Sequence, residues 1–161
     1  MRAELPLHFL TGLDGQKSHI TVNGIINGKE ARLIIDSGAS NSVLDVSLAD
    51  HFGLVPDHAY QKESAVGLGS DSIDSSLSRA AVFELGAFRI MRFPFVLLDL
   101  SIINNTFRKT GSGHIDGIIG TDLLLAGHAC IDYKRATITF SGSSRALQKF
   151  FRHPFAKESC D

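Results

Sequence analysis

The sequence predicts an all-β fold, a small closed barrel carrying one or two short helices. Three observations carry that reading. Short stretches with apolar residues two apart recur along the chain, the period of strands half-buried on one face. Glycine-bearing turns separate these stretches, and little of the chain has helical period. At 161 residues, 43% of them hydrophobic, the chain supports one domain with a real core.

Residues 1–17 mix Pro6, Gly12 and Gly15 with scattered apolar positions and read as an arm leading in. His19–Ile26 reads as a strand, and Asn27-Gly28 supplies the two positive-φ positions of a type I′ hairpin turn. The return strand, Glu30–Ile35, runs straight into Asp36, so a hairpin aims that carboxylate. Asp45 is placed to cap a short helix over Val46–Phe52, with Gly53 just past its end and Pro56 beyond. Tyr60–Val66 and Ser75–Leu85 read as strands around a glycine-rich tip, Gly67-Leu68-Gly69-Ser70-Asp71-Ser72. Phe88–Leu98 is a further strand whose Pro94 marks it as an edge or a bulged strand. Residues 99–114 are polar and read as a surface loop. Ile115–Leu125 then gives a buried strand, a glycine where backbones pass closely, and a capped helical turn. Ala129–Tyr133 and Ala136–Phe140 form a last hairpin, and residues 142–161 make a tail in which Arg145, Lys149, Arg152 and Lys157 alternate with phenylalanines. The tail reads as a dimer-docking helix, a membrane-surface segment or a disordered end, and Leu147, Phe150 and Phe151, which fall on one helical face, favour docking.

Composition narrows the function. Sixteen basic against seventeen acidic residues leave a net charge of −1, which gives no field for nucleic acid or an anionic membrane. No apolar run approaches the length of a membrane span, and Met1–Pro6 lacks the sustained apolar stretch of a signal peptide. Cys130 and Cys160 are the two cysteines and read as free thiols, which suits a cytoplasmic location; loss of a leader would instead allow a periplasmic or anchored one. The seven histidines include His51, His58 and His114, the last close to Asp116, but none has the spacing of a metal site. No cofactor and no metal are expected.

Ile35-Asp36-Ser37-Gly38-Ala39 resembles the catalytic loop of the retropepsin-like aspartic peptidases, in the single-domain form of retroviruses, bacteria and the DNA-damage-inducible ubiquitin-shuttle proteins. Two further elements follow in the family's order, the glycine-tipped hairpin near 67–72 and Gly117-Ile118-Ile119-Gly120-Thr121-Asp122-Leu123-Leu124. The second resembles the segment that crosses beneath the catalytic loop and enters a helix. The likeness spans residues 18–141, with 1–17 as the arm and 142–161 as the tail. It departs from the retroviral pattern at two places, where an Asp is replaced by Ser40 and an Arg by Thr121. Those two residues form an ion pair in retroviral members, so both partners are absent together, as in the bacterial or shuttle-protein branch.

The resemblance implies an aspartic endopeptidase in which two carboxylates share a proton across a bound water. The chain holds one Asp-Ser-Gly in the right setting, so the second carboxylate must be Asp36 of another copy, and the enzyme is expected to be a homodimer acting on a peptide or protein. Asp36 is then catalytic, the Ser37 hydroxyls bond across the dimer axis, and Gly38 leaves room for the substrate backbone. Ala39, Ser40, Val43 and Ile118 are implied in substrate binding, and Gly67, Leu68 and Gly69 in a flap that closes over it. Many acid-active relatives carry a hydroxyl residue where this chain has Ala39, which moves the expected optimum towards weakly acidic pH. Two readings compete with this: Asp36-Ser37-Gly38 as an ordinary structural turn, and a catalytically silent retropepsin-like module for dimerisation or peptide binding.

Overall fold

The alternation of Ala3, Leu5 and Leu7 is enough to make the first segment a strand, despite Pro6. In the computed structural model, which describes residues 1–56 and 76–152, the chain opens with Arg2–Pro6 (β1) and His8–Thr11 (β2). The expected arm is therefore largely strand, because those alternate side chains are buried. Lys17–Ile26 (β3) and Lys29–Ile35 (β4) form the expected hairpin, with Asn27 at φ 50° and Gly28 at φ 82°. The Asn27 side chain also ties this turn into the fold, donating to Phe52 O (2.8 Å) and accepting from Val82 N–H (3.0 Å).

Val43–Asp45 (β5) follows, and Asp45 does cap what comes next, accepting from Ser47 N–H at 3.1 Å. The expected helix over Val46–Phe52 is only a 3-10 turn, Val46–Leu48, ahead of Gly53 at φ 59° and Val55–Pro56 (β6). Val46 faces solvent and Phe52 is the one deeply buried side chain in the segment, so no apolar stripe offsets the cost of more helical turns. Ser76–Leu85 (β7) and Phe88–Leu98 (β8) make a long hairpin around Gly86, at φ 58°. Pro94 pairs with Arg79 of β7, whereas β5 joins the other side of β8 only from Val96 onward. Among the described residues the strand has one neighbour at Pro94, so the missing N–H is tolerated in an otherwise central strand.

Residues 99–114, expected as a loop, contain the helix Ser101–Lys109 (α1). Its asparagines and β-branched residues are weak helix formers. Tertiary contacts override that preference: Phe107 is buried, and Asn104 makes two bonds with Ile115, donating to its carbonyl (3.0 Å) and accepting from its N–H (2.8 Å). Gly117–Ile119 (β9), Thr121–Ala126 (α2), Cys130–Asp132 (β10), Thr137–Ser141 (β11) and Ser144–Arg152 (α3) complete the chain. The described residues thus hold three α-helices, where one or two were expected.

Eight strands run in the order β2-β3-β4-β9-β5-β8-β7-β6, and pairing of β3 with β7 closes a six-stranded barrel from β3, β4, β9, β5, β8 and β7. Its interior is filled by Val22, Leu33, Leu44, Phe83, Phe93 and Ile119, among others. A second sheet, β1-β11-β10, packs beside it. Helix α3 lies on this same core: Leu147 and Phe151 are buried, Phe151 meets Phe93 edge-on at 4.8 Å, and Arg79 donates to Phe151 O at 3.0 Å. The face expected to dock a second subunit is occupied by the chain's own barrel, and of that trio Phe150 alone stays exposed.

Candidate active site

Asp36 stands where β4 leaves the barrel. β4 pairs in parallel with β9, Leu33 to Gly117 through Ile35 to Ile119, and the Asp36 N–H continues the ladder to Ile119 O at 3.0 Å. The carboxylate is then held by its own turn, since Gly38 N–H donates to Oδ1 at 2.8 Å. Ala39 N–H closes the turn on Asp36 O at 3.2 Å. Asp36, Ser37, Gly38 and Ser40 are exposed and Ala39 is half-buried.

Behind the turn, residues 119–122 act as a brace. Thr121 N–H donates to Ala39 O (2.8 Å), its hydroxyl to Ser37 O (2.9 Å), and Asp122 N–H to Ser40 O (3.3 Å). Gly120 is required for this contact, because a Cβ there would lie 2.6 Å from Asn41 O and 2.8 Å from Ala39 O. Gly117 is equally confined, with Val43 O directly against the position of a Cβ. Thr121, through its hydroxyl and N–H, and Ser40, through its carbonyl, thus take part in neutral hydrogen bonds between the turn and the brace.

Ser42 and Asp122 add a polar link that the sequence reading did not single out. The Asp122 carboxylate accepts from the Ser42 hydroxyl (2.7 Å), Ser42 N–H (2.9 Å) and Leu123 N–H (2.8 Å), and Ser42 Oγ accepts from Gly120 N–H (3.1 Å). Burial pushes the Asp122 carboxyl above its ordinary value, and the Ser42 and Leu123 hydrogen bonds oppose that rise in part.

A cavity of about 370 Å³ opens beside Asp36. Ile34, Ile103, Phe107 and Ile118 give it apolar walls, Leu13 and His19 stand on the β2–β3 side, and Ile102 and Thr106 come from α1. Ser112 fastens that loop to the end of α1, accepting from Thr11 N–H and donating to Thr11 O, both at 3.0 Å. Asp36 is the sole carboxylate in the lining among the described residues. Of the expected substrate contacts, Ile118 lines the cavity, whereas Val43 is buried and does not. Gly67, Leu68 and Gly69, with the strand expected over 60–66, lie outside the described residues, as does Cys160. The helical wall was missed in sequence, although Ile103 and Phe107 have i, i+4 spacing and Arg108-Lys109 precede Gly111 as at a helix end.

The aspartyl protease family model matches residues 22–123, from the middle of β3 to the start of α2, and so covers both the Asp36 turn and its brace. The chain belongs to the aspartyl protease family. Its fold is that of the retropepsin-like members. The retroviral protease-like domain of Ddi1 from Leishmania major superposes with a TM-score of 0.55 at 23% identity, over 80% of this chain and 92% of that one. A retropepsin-like aspartic protease from Rickettsia conorii gives a TM-score of 0.52 at 16% identity, over 87% and 91%. No curated protein matches the chain in sequence. Among the described residues, no helix is long and apolar enough to cross a membrane.

Proposed function

We propose that the chain is an aspartic endopeptidase that works as a homodimer, with Asp36 of each subunit forming the catalytic pair. One observation carries the reading: an exposed carboxylate, fixed by a braced turn, borders an apolar cavity that holds no second carboxylate among the described residues. The chemistry needs two. One Asp36 takes a proton from water as it attacks the peptide carbonyl, and the other gives a proton to the carbonyl oxygen. The cavity then receives an apolar side chain next to the scissile bond.

The β10 edge supports assembly in the required place. β10 has β11 on one side and no strand on the other among the described residues. Ile131 in β10 and Tyr133 just past it are exposed, and share a groove with Ile35 at the end of β4 and Ser37 of the turn. Two β10 edges pairing about a twofold axis would bring the two Asp36 turns face to face. The Ser37 hydroxyls would then bond across that axis.

Peptide-library cleavage by the wild type and Asp36→Asn, with and without a pepstatin-type inhibitor, tests the assignment. Cleavage that Asp36→Asn abolishes supports it, with an optimum at weakly acidic pH in keeping with Ala39. Equal cleavage by both proteins refutes it, and a wild type that binds peptides without cleaving them returns the silent module.

A further inference from the structure

Of the bonds that brace the Asp36 turn, the one between Ser42 and Asp122 joins two side chains. Its geometry is demanding. Three donors converge on Asp122: the Ser42 hydroxyl, Ser42 N–H and Leu123 N–H. Gly120 N–H already occupies Ser42 Oγ as an acceptor, so the hydroxyl proton is directed towards Asp122. A carboxylate is the side-chain group that accepts through both oxygens and donates through neither, so an amide of the same shape would set an N–H against one of these donors. The relay from Gly120 to Ser42 to Asp122 is aligned and each bond polarises the next.

Burial works against the charge in this arrangement. Asp122 is half-buried, its charge is disfavoured by that burial, and no cation pairs with it among the described residues. A charge kept in such a place is better explained by the position it enforces than by any gain to the fold. That position is the return limb of the turn. Asp36 is fixed at the start through Ile119 O, and Ser42 closes the far end against the same four-residue brace.

We propose that Asp122, acting through Ser42, is the positioning residue that sets the geometry of the 36–42 turn and so the aim of Asp36. The inference rests on the peptidase reading for its catalytic consequence, but the lock itself is a property of the fold. A displacement of the order of 1 Å in a catalytic group can cost about a hundredfold in rate. Asp122 touches none of the cavity, so its loss should act on turnover and leave substrate affinity alone.

The test compares Asp122→Asn, Ser42→Ala, Ser42→Thr and the double variant Ser42→Ala/Asp122→Asn, each checked for folding by thermal melting. With a peptide that the wild type cleaves, Asp122→Asn and Ser42→Ala should lower kcat by roughly 10- to 100-fold while KM stays within about twofold. Ser42→Thr, which keeps the hydroxyl, should restore most of the rate, and the double variant should be no worse than the worse single one. Full kcat in folded Asp122→Asn, or additive losses in the double variant, would overturn the proposal. If Asp122→Asn does not fold, the Ala and Thr variants at Ser42 make the same comparison, and equal kcat in those two counts against the lock. A wild type that cleaves nothing removes the peptidase reading but not this test, which amide hydrogen exchange then decides. Faster exchange at Ser42, Gly120 and Thr121 in the variants, with β7 and β8 unchanged, upholds the lock. Unchanged exchange at those amides sinks it.

Discussion

Residues 36–42 and helix α1 border the same cavity and are held by different forces. The turn buries little apolar surface of its own around Asp36 and is fixed by hydrogen bonds to residues 119–122. Helix α1 is tied to its support by the two hydrogen bonds between Asn104 and Ile115, and among the described residues rests mainly on apolar packing of Phe107 with Leu10, Ile34 and Ile115. Hydrogen bonds are directional and fail steeply with misalignment, whereas apolar contacts tolerate changes of shape. The turn is therefore the part built for accuracy, and α1 the part built for fit. Substitutions in the first should alter rate, and substitutions in the second should alter which side chain is accepted.

Asp36→Asn gives the largest effect expected. It removes the general base and acid together from a symmetric pair, so cleavage should fall by at least about 10²–10⁴-fold with little change in melting temperature. A variant that retains wild-type turnover would remove the turn from the chemistry altogether. Phe107→Ala comes next. The side chain is 5% exposed, so truncation should cost about 3–5 kcal/mol in denaturant titrations. Its enlarged pocket should raise KM for substrates with a mid-sized apolar residue and leave kcat nearly unchanged. A fall in kcat at constant KM would erase the distinction between wall and turn.

Gly120→Ala follows, with about 1–3 kcal/mol of destabilisation from overpacking, because its Cβ would press on the carbonyls of Asn41 and Ala39. Here the activity loss should exceed what the unfolded fraction explains, since the clash falls on the turn itself. Thermal melting beside kinetics measures both.

The smallest effect is a slope. Burial raises the folded Asp122 carboxyl above its ordinary 3.8, so the folded state holds that proton more tightly than the unfolded chain does. The stability this contributes is fully present below the unfolded value and is lost as pH rises through the folded one. Asp122→Asn lacks that titration. Wild type should therefore lose stability relative to Asp122→Asn as pH is raised from below 3.8 towards neutrality. Parallel stability curves over that range would show that the carboxylate is not under strain.

The parts of this molecule that could be read from sequence are those written in local chemistry. Asn27-Gly28 has only one comfortable turn, and it forms. The glycine between the buried strand and the helical turn of Ile115–Leu125 announced close backbone approach, and Gly120 there faces the carbonyls of Asn41 and Ala39. Asp36-Ser37-Gly38 after an apolar strand placed the carboxylate correctly at the strand's end. What escaped depends on tertiary context. Helix α1 is built from Ile, Asn and Thr, whose intrinsic preference opposes it, and is held by Asn104 and Phe107 through contacts distant in sequence. The tail helix was legible as amphipathic, but the sequence held no indication that Leu147 and Phe151 would bury in the core of the same chain, Phe151 against Phe93. Asp122 looked like an ordinary residue of a helix start, and its bonds to Ser42, eighty positions away, become visible only once β9 passes under the turn.

The central claim is that Asp36 meets a second Asp36. The most direct measurement is a crystal structure of the full chain with a pepstatin-type inhibitor bound, its mass in solution measured alongside. The account predicts a twofold dimer, with the two Asp36 carboxylates roughly 3 Å apart around the inhibitor hydroxyl and β10 paired across the axis. A monomer, or a dimer that keeps the two Asp36 side chains apart, would contradict it.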